Sequence, residues 1–198
     1  LIKFLTSYVM DECAEDLELF AKWVDKNLMS TLENTATSDY VRLSYREAVD
    51  ILQKSGHKFE YEIGFGKDLQ TEHERYLTEQ NFKKPVIVYD YPKTIKPFYM
   101  RLNDDNETVA AMDVLVPNIG EIIGGSQREE RLDVLEARID ESGMEKAPYW
   151  WYLESRMYGS VPHSGFGLGF ERLMMLVTGI SNIRDVIPFP RTPNNLEF

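Results

Sequence analysis

Cysteine is nearly absent from this chain. Cys13 stands alone, which excludes a disulfide framework and any cysteine-based metal site, and makes a reducing, cytoplasmic setting the default. Histidine is also scarce: His57, His73 and His163 lie too far apart in sequence to suggest a zinc cluster. No apolar run is long enough to span a membrane, and no secretory signal is visible. Cations are outnumbered, with 22 Lys and Arg against 33 Asp and Glu and a net charge of −11, which argues against a general nucleic-acid binder. A Ser-His-Asp or Cys-His constellation for nucleophilic catalysis is missing as well. What remains is globular: 43% hydrophobic and 12% aromatic over 198 residues, enough for one domain with a substantial core.

The most specific segment is His163-Ser164-Gly165-Phe166-Gly167-Leu168-Gly169-Phe170-Glu171-Arg172. Glycine at every second position, read on a strand, strips one face of side chains. Phe166, Leu168 and Phe170 are expected to pack the other. A flat ligand could approach the bare face, although close strand–helix packing also explains such glycines. Glu171 and Arg172 open an apolar helix that Gly179 should end. A cation beside a glycine floor suits a nucleoside triphosphate. Neither a Walker loop nor a dinucleotide fingerprint fits the spacing.

Upstream, Leu5, Tyr8, Val9, Cys13, Leu17, Phe20 and Trp23 predict one amphipathic helix to about Leu28. Ser44-Tyr45-Arg46-Glu47 is a capping box opening a second helix, stopped by Gly56. The charged run from Gln70 to Gln80 predicts a short, solvent-facing helix. Strands are expected over Val86 to Tyr89, Phe98 to Leu102, Val109 to Val116 and Gly120 to Ile123, with turns at Asn103 to Asn106 and at Pro117-Asn118. Ser126-Gln127-Arg128-Glu129 has the form of a second capping box, opening a helix to Ser142, and a last helix covers Tyr149 to Met157. Hairpin-linked strands and helices without internal repeats predict an α+β fold, an antiparallel sheet flanked by helices.

Asp113 lies in an apolar strand and Glu121 on its hairpin partner. An acid in such surroundings is either paired, with Arg101 or Arg128 as partners, or functional. Two carboxylates on neighbouring strands could hold Mg²⁺ together with phosphate oxygens. Arg128, placed in a helix first turn where the dipole disfavours a cation, is either solvent-exposed or reaches back to a ligand oxygen.

Gly120 to Arg131, Tyr149-Trp150-Trp151-Tyr152, Gly159 to Gly165 and Asn182 to Pro193 resemble the asparaginyl-tRNA synthetases, a family of class II aminoacyl-tRNA synthetases. The resemblance runs from about Asp90 to Phe198 and is weaker from Leu1 to Lys84. The related aspartyl enzymes share the Glu-x-x-Gly pattern but differ in the Trp-Trp-Tyr run and the Pro-Arg-Thr-Pro ending. The resemblance implies ATP-dependent activation of L-asparagine to an adenylate and transfer to tRNA(Asn) by a homodimeric, Mg²⁺-using enzyme. It implies ATP contacts from Glu121, Gly169, Phe170, Glu171 and Arg172, metal ligation by Asp113 and Glu121, and a grip on the amino-acid side chain by Arg128. It assigns no role to His163, for which a structural place beside Pro162 is expected.

Residues 163–178 match the third signature motif of class II. No segment resembles motif 1, motif 2 or the anticodon-binding barrel. The chain, which opens inside an apolar helical pattern without an initiator methionine, is therefore expected to be the C-terminal part of a catalytic domain and inactive by itself. Two alternatives remain open: an aspartyl-type or tRNA-independent asparagine-synthetase-like enzyme, and a non-catalytic synthetase paralogue. Retention of Asp113, Glu121, Arg128 and Arg172 together opposes the second.

Overall fold

The computed structural model describes residues 1–195; Leu196, Glu197 and Phe198, at the end of the resemblance, lie outside the described residues. Three helices open the chain: α1 (Ile2–Glu12), α2 (Ala14–Trp23) and α3 (Leu28–Thr37). The single helix predicted to Leu28 is broken at Cys13, which leaves helical geometry at φ −119° and ψ 31°. The break re-aims the second half, so Leu17 is buried while Tyr8 and Trp23 are exposed.

Next comes β1 (Val41–Ser44), which runs directly into α4 (Tyr45–Lys54). The predicted capping box is present. Ser44 Oγ accepts the Glu47 N–H at 3.3 Å, and Glu47 Oε2 accepts the Ser44 N–H at 2.9 Å. The charged run then forms α5 (Thr71–Arg75), continued as a π-turn over Tyr76–Asn81. It is not solvent-facing as its composition suggests: His73, Leu77 and Thr78 are fully buried. Its outward charges mask an inner face closed by the sheet.

The sheet has five strands in sequence order: β1, β2 (Val86–Pro92), β3 (Thr108–Val116), β4 (Gly120–Gln127) and β5 (Ser164–Leu168). The pairs from β2 to β5 are antiparallel, as expected, and β1 adds one parallel pair. Phe98 to Leu102 forms isolated bridges to Arg128 and Val109 instead of a strand, because it steps from one neighbour to the other. The turn at Asn103 to Asn106 is closed by the Asn106 N–H on the Asn103 carbonyl at 3.0 Å.

Ser126 and Gln127 do not open a helix. They pair with Gly165 and Ser164 and so complete β4. The helix α6 (Leu132–Glu141) starts later, with Arg131 at its N-cap and no side-chain cap. Arg128 therefore leaves the sheet on extended backbone, and the helix-dipole argument does not apply to it. After α7 (Trp150–Met157), β5 leads into α8 (Phe170–Thr178), closed by left-handed Gly179 at φ +74° as predicted.

One sheet face packs Val86, Val88, Val109, Ala111 and Leu115 against α4 and Leu77. The other packs Val114, Ile122 and Ile123 against α1–α3 and α8. Because β5 is an edge strand, Phe166 has no cover on that second face and stays exposed, as does Phe170; only Leu168 packs in.

Candidate active site

Strand alternation alone would put Glu121 and Gly124, three residues apart, on opposite faces of β4. A bulge prevents this. Val114 pairs with Ile123 and Leu115 with Glu121, leaving Ile122 as the extra residue. Ile122 and Ile123 both turn into the core, and Glu121 comes to the face that carries Asp113. Across the next strand, Asp113, Gly124 and Gly167 are in register. The bare glycine face predicted for β5 thus lies beside the two carboxylates. Together with Lys96, Tyr99 and Arg128 they line a cavity of about 450 Å³.

The cradle is tight. A Cβ on Gly124 would stand 2.7 Å from Glu121 Oε1 and 3.3 Å from Asp113 Oδ1, so the two oxygens converge on one spot. Among the described residues no group of three His, Cys, Asp or Glu side chains gathers as a metal cluster. Two converging carboxylates with open space above suit magnesium, which completes its shell from phosphate oxygens and water.

Asp113 is paired, but with neither predicted arginine. Lys96 Nζ lies 2.8 Å from Asp113 Oδ2 and 3.9 Å from the Tyr91 ring centroid. Arg101 reaches Glu130, and Arg128 Nη1 donates to Ser126 Oγ at 2.7 Å. The Arg128 guanidinium lies 4.9 Å from the Tyr99 ring centroid, and its backbone N–H donates to the His163 carbonyl at 2.8 Å. Gly165 lets Arg128 lie flat across β5, since a Cβ there would be 3.0 Å from Arg128 Nη2. His163 itself is exposed, its ring bonded within its own loop to the Val161 carbonyl.

Arg172 is not in the cavity wall but packs against Glu121: its Nη1 donates to the Glu121 carbonyl and stands 3.9 Å from Glu121 Oε2. Its stem passes under Gly169, where a Cβ would touch it at 3.5 Å. Gly169, Phe170 and Glu171 sit beside it at the start of α8 and, like it, lie outside the cavity wall.

Three residues that sequence patterns did not single out belong to this site: Lys96, Tyr99 and Glu74. Glu74 projects from α5 and accepts the Glu121 N–H at 3.1 Å. Burial, with the Glu121 and Asp113 charges added, pushes its carboxyl up to about 7 against the pull of that N–H and of Arg172. Burial and the Asp113 charge likewise raise Glu121, opposed by Arg172 and Lys96. Burial first, then Asp113, drives the Tyr91 phenol well above its ordinary range. Carboxylates crowded against this repulsion favour a multivalent cation. The only sequence signal for Glu74 was the charged run Gln70 to Gln80, which looks like any solvated helix.

A family model of tRNA synthetases class II (D, K and N) matches residues 1–193. The asparagine–tRNA ligase of Oleidesulfovibrio alaskensis is 67% identical over 198 residues, covering 100% of this chain and 43% of that protein. That of Clostridium novyi is 64% identical over the same length, with the same coverage. Among solved structures, asparaginyl-tRNA synthetase from Pyrococcus horikoshii complexed with asparaginyl-adenylate superposes with a TM-score of 0.87 at 44% identity, covering 98% of this chain and 43% of that one. The chain thus spans less than half the length of the proteins it matches.

Proposed function

Because this chain belongs to the class II tRNA synthetases of the D, K and N group, we propose that it supplies the nucleotide, magnesium and side-chain contacts of an asparagine–tRNA ligase. The full-length protein would activate L-asparagine with ATP and transfer it to tRNA(Asn), working as a homodimer in the cytoplasm, with this chain as the C-terminal part of the catalytic domain. One observation carries the proposal: Asp113 and Glu121 converge over a bare glycine floor, with Arg128 in the same cavity wall and Arg172 packed against Glu121.

Adenylate formation is an in-line displacement. An oxygen of the asparagine carboxylate attacks the α-phosphorus and pyrophosphate leaves, so the protein needs to position and neutralise rather than to attack. Asp113 and Glu121 would hold the magnesium ion, which when bound neutralises phosphate charge. Arg172 binds the triphosphate end, with Gly169, Phe170 and Glu171 beside the nucleotide. Gly124 and Gly167 admit the ligand close to the backbone. Arg128, kept flat by Tyr99 and Gly165, donates to the side-chain amide oxygen of asparagine.

The test is ATP–pyrophosphate exchange by the full-length protein with asparagine or aspartate as substrate. Exchange with asparagine is expected, while exchange driven by aspartate, or asparagine formed from aspartate and ammonia, would overturn the proposal. Arg128→Ala should raise the KM for asparagine by about a hundredfold, the loss of a charged hydrogen-bond pair, and leave ATP nearly unchanged. Arg172→Ala should do the reverse.

A further inference from the structure

Two carboxylates of the α5 segment grip the hairpin that presents Glu121. Glu74 Oε2 accepts the Glu121 N–H at 3.1 Å, and Glu79 Oε1 accepts the Asn118 N–H at 2.9 Å. These acids are five residues apart, which on an α-helix would separate their directions by about 140°. Glu74 lies in the α-helical part, but the segment does not stay α-helical as far as Glu79. It widens into the π-turn, closed by the Phe82 N–H on the Leu77 carbonyl at 3.0 Å, so residues five apart share a side. Arg75 Nε holds Glu79 at 2.7 Å, and buried His73, Leu77 and Thr78 seat the segment against the core.

The hairpin is shaped to receive this grip. Gly120 adopts φ +82°, and a Cβ on it would overlap Glu74 Oε2. Glu121 adjoins the bulge, where the regular ladder is interrupted. Its backbone is held by side chains instead: Glu74 on the N–H and Arg172 on the carbonyl.

We propose that Glu74 is a positioning residue: by fixing the Glu121 N–H it holds the bulge that turns the Glu121 carboxylate toward Asp113, and so sets how the site takes magnesium and ATP. The proposal deepens the nucleotide-site assignment and rests on it. Glu74 needs its reach rather than its charge. Gln keeps a carbonyl oxygen at the same distance, whereas Asp keeps the charge and falls one methylene short.

The experiment compares Glu74→Gln and Glu74→Asp in the full-length protein by two readouts. One is amide hydrogen exchange over residues 117–124 without ligand. The other is calorimetric binding of ATP as magnesium is titrated, set beside the KM for asparagine. Glu74→Asp should speed exchange in this segment and raise the magnesium midpoint about tenfold, as one lost hydrogen bond that leaves a half-buried backbone N–H unpaired requires. The KM for asparagine should move less than about twofold, because Arg128 is held by other residues. Glu74→Gln should stay within about threefold of the parent protein. The reverse order, with Gln impaired and Asp intact, would make the role purely electrostatic and overturn the proposal, as would equal losses for ATP and asparagine. A parent protein that binds no ATP would defeat the nucleotide assignment, while the hydrogen-exchange comparison still decides whether the grip exists.

Discussion

Lys96 Nζ stands 2.8 Å from Asp113 Oδ2, with side chains only 17% and 9% exposed, so an ammonium neutralises the carboxylate on which magnesium binding is proposed. Lys96→Met should therefore leave Asp113 charged, buried and unpaired, at a cost of about 3 kcal/mol in chelator. Magnesium should recover part of that loss by supplying the missing charge. Thermal melting with and without magnesium measures it, and an identical loss in both conditions would show that the ammonium and the metal do not answer the same charge.

The three floor glycines make separable predictions. Gly124→Ala pushes a methyl between Glu121 Oε1 and Asp113 Oδ1 and should cut kcat/KM for ATP by about a hundredfold, since a misplacement of about 1 Å suffices. Gly165→Ala meets Arg128 and should fall mainly on asparagine. At Gly167 a Cβ meets nothing within 4 Å, so Gly167→Ala should leave the melting temperature unchanged and still weaken ATP binding. Loss of stability in Gly167→Ala, or full ATP affinity, would contradict the floor.

Glu129 is fully buried and accepts from the Leu102 N–H at 2.9 Å and from Arg131 Nε at 2.7 Å, beside Arg128. Burial acts to raise its carboxyl, but the Arg131 and backbone hydrogen bonds outweigh it and hold it below the usual range. A depressed carboxyl contributes stability that is present above its unfolded value near 4.5 and lost as pH falls below it. Glu129→Gln should cost about 3 kcal/mol at pH 7 and flatten the acid limb of stability below pH 4.5. An unchanged acid limb would argue that Glu129 is not the group being titrated.

His73 titrates in a higher window. Its Nδ1 accepts the Gln70 N–H at 3.0 Å, which requires that nitrogen to be unprotonated, and burial lowers its pKa from 6.5. The Tyr61 carbonyl and Glu72, 3.6 Å from Nε2, pull the other way without prevailing. The neutral ring therefore contributes stability above pH 6.5 that is lost as pH falls below it. His73→Asn should lower the melting temperature at pH 8 and reduce its dependence on pH below 6.5. A dependence equal to that of the parent protein would assign the effect elsewhere.

Much of this site was legible because its cues are local. The glycine alternation of β5, Gly179 at the end of α8, and acids within an apolar hairpin each depend on a few consecutive residues, and Asp113, Glu121 and Arg128 do line one cavity. Glu74 and Lys96 were not legible, because their roles come from partners 47 and 17 residues away. The bulge at Ile122 was hidden too, since only pairing with β3 shows which residue is extra.

The contrast is sharpest between two segments of one pattern. Ser44-Tyr45-Arg46-Glu47 and Ser126-Gln127-Arg128-Glu129 both have the form of a capping box, and residue order alone determines that form. The first caps a helix although Ser44 ends β1 beside Tyr89, because the Ser44 and Glu47 N–H groups stay free for each other's side chains. In the second, β5 pairs with Ser126 and Gln127, the Glu129 N–H donates to the Tyr99 carbonyl, and its side chain turns to Leu102 and Arg131. Local sequence offered the same hydrogen bonds twice, and tertiary contacts decided which were made: a backbone N–H committed to a distant carbonyl, as that of Glu129 is to Tyr99, is no longer free to be capped.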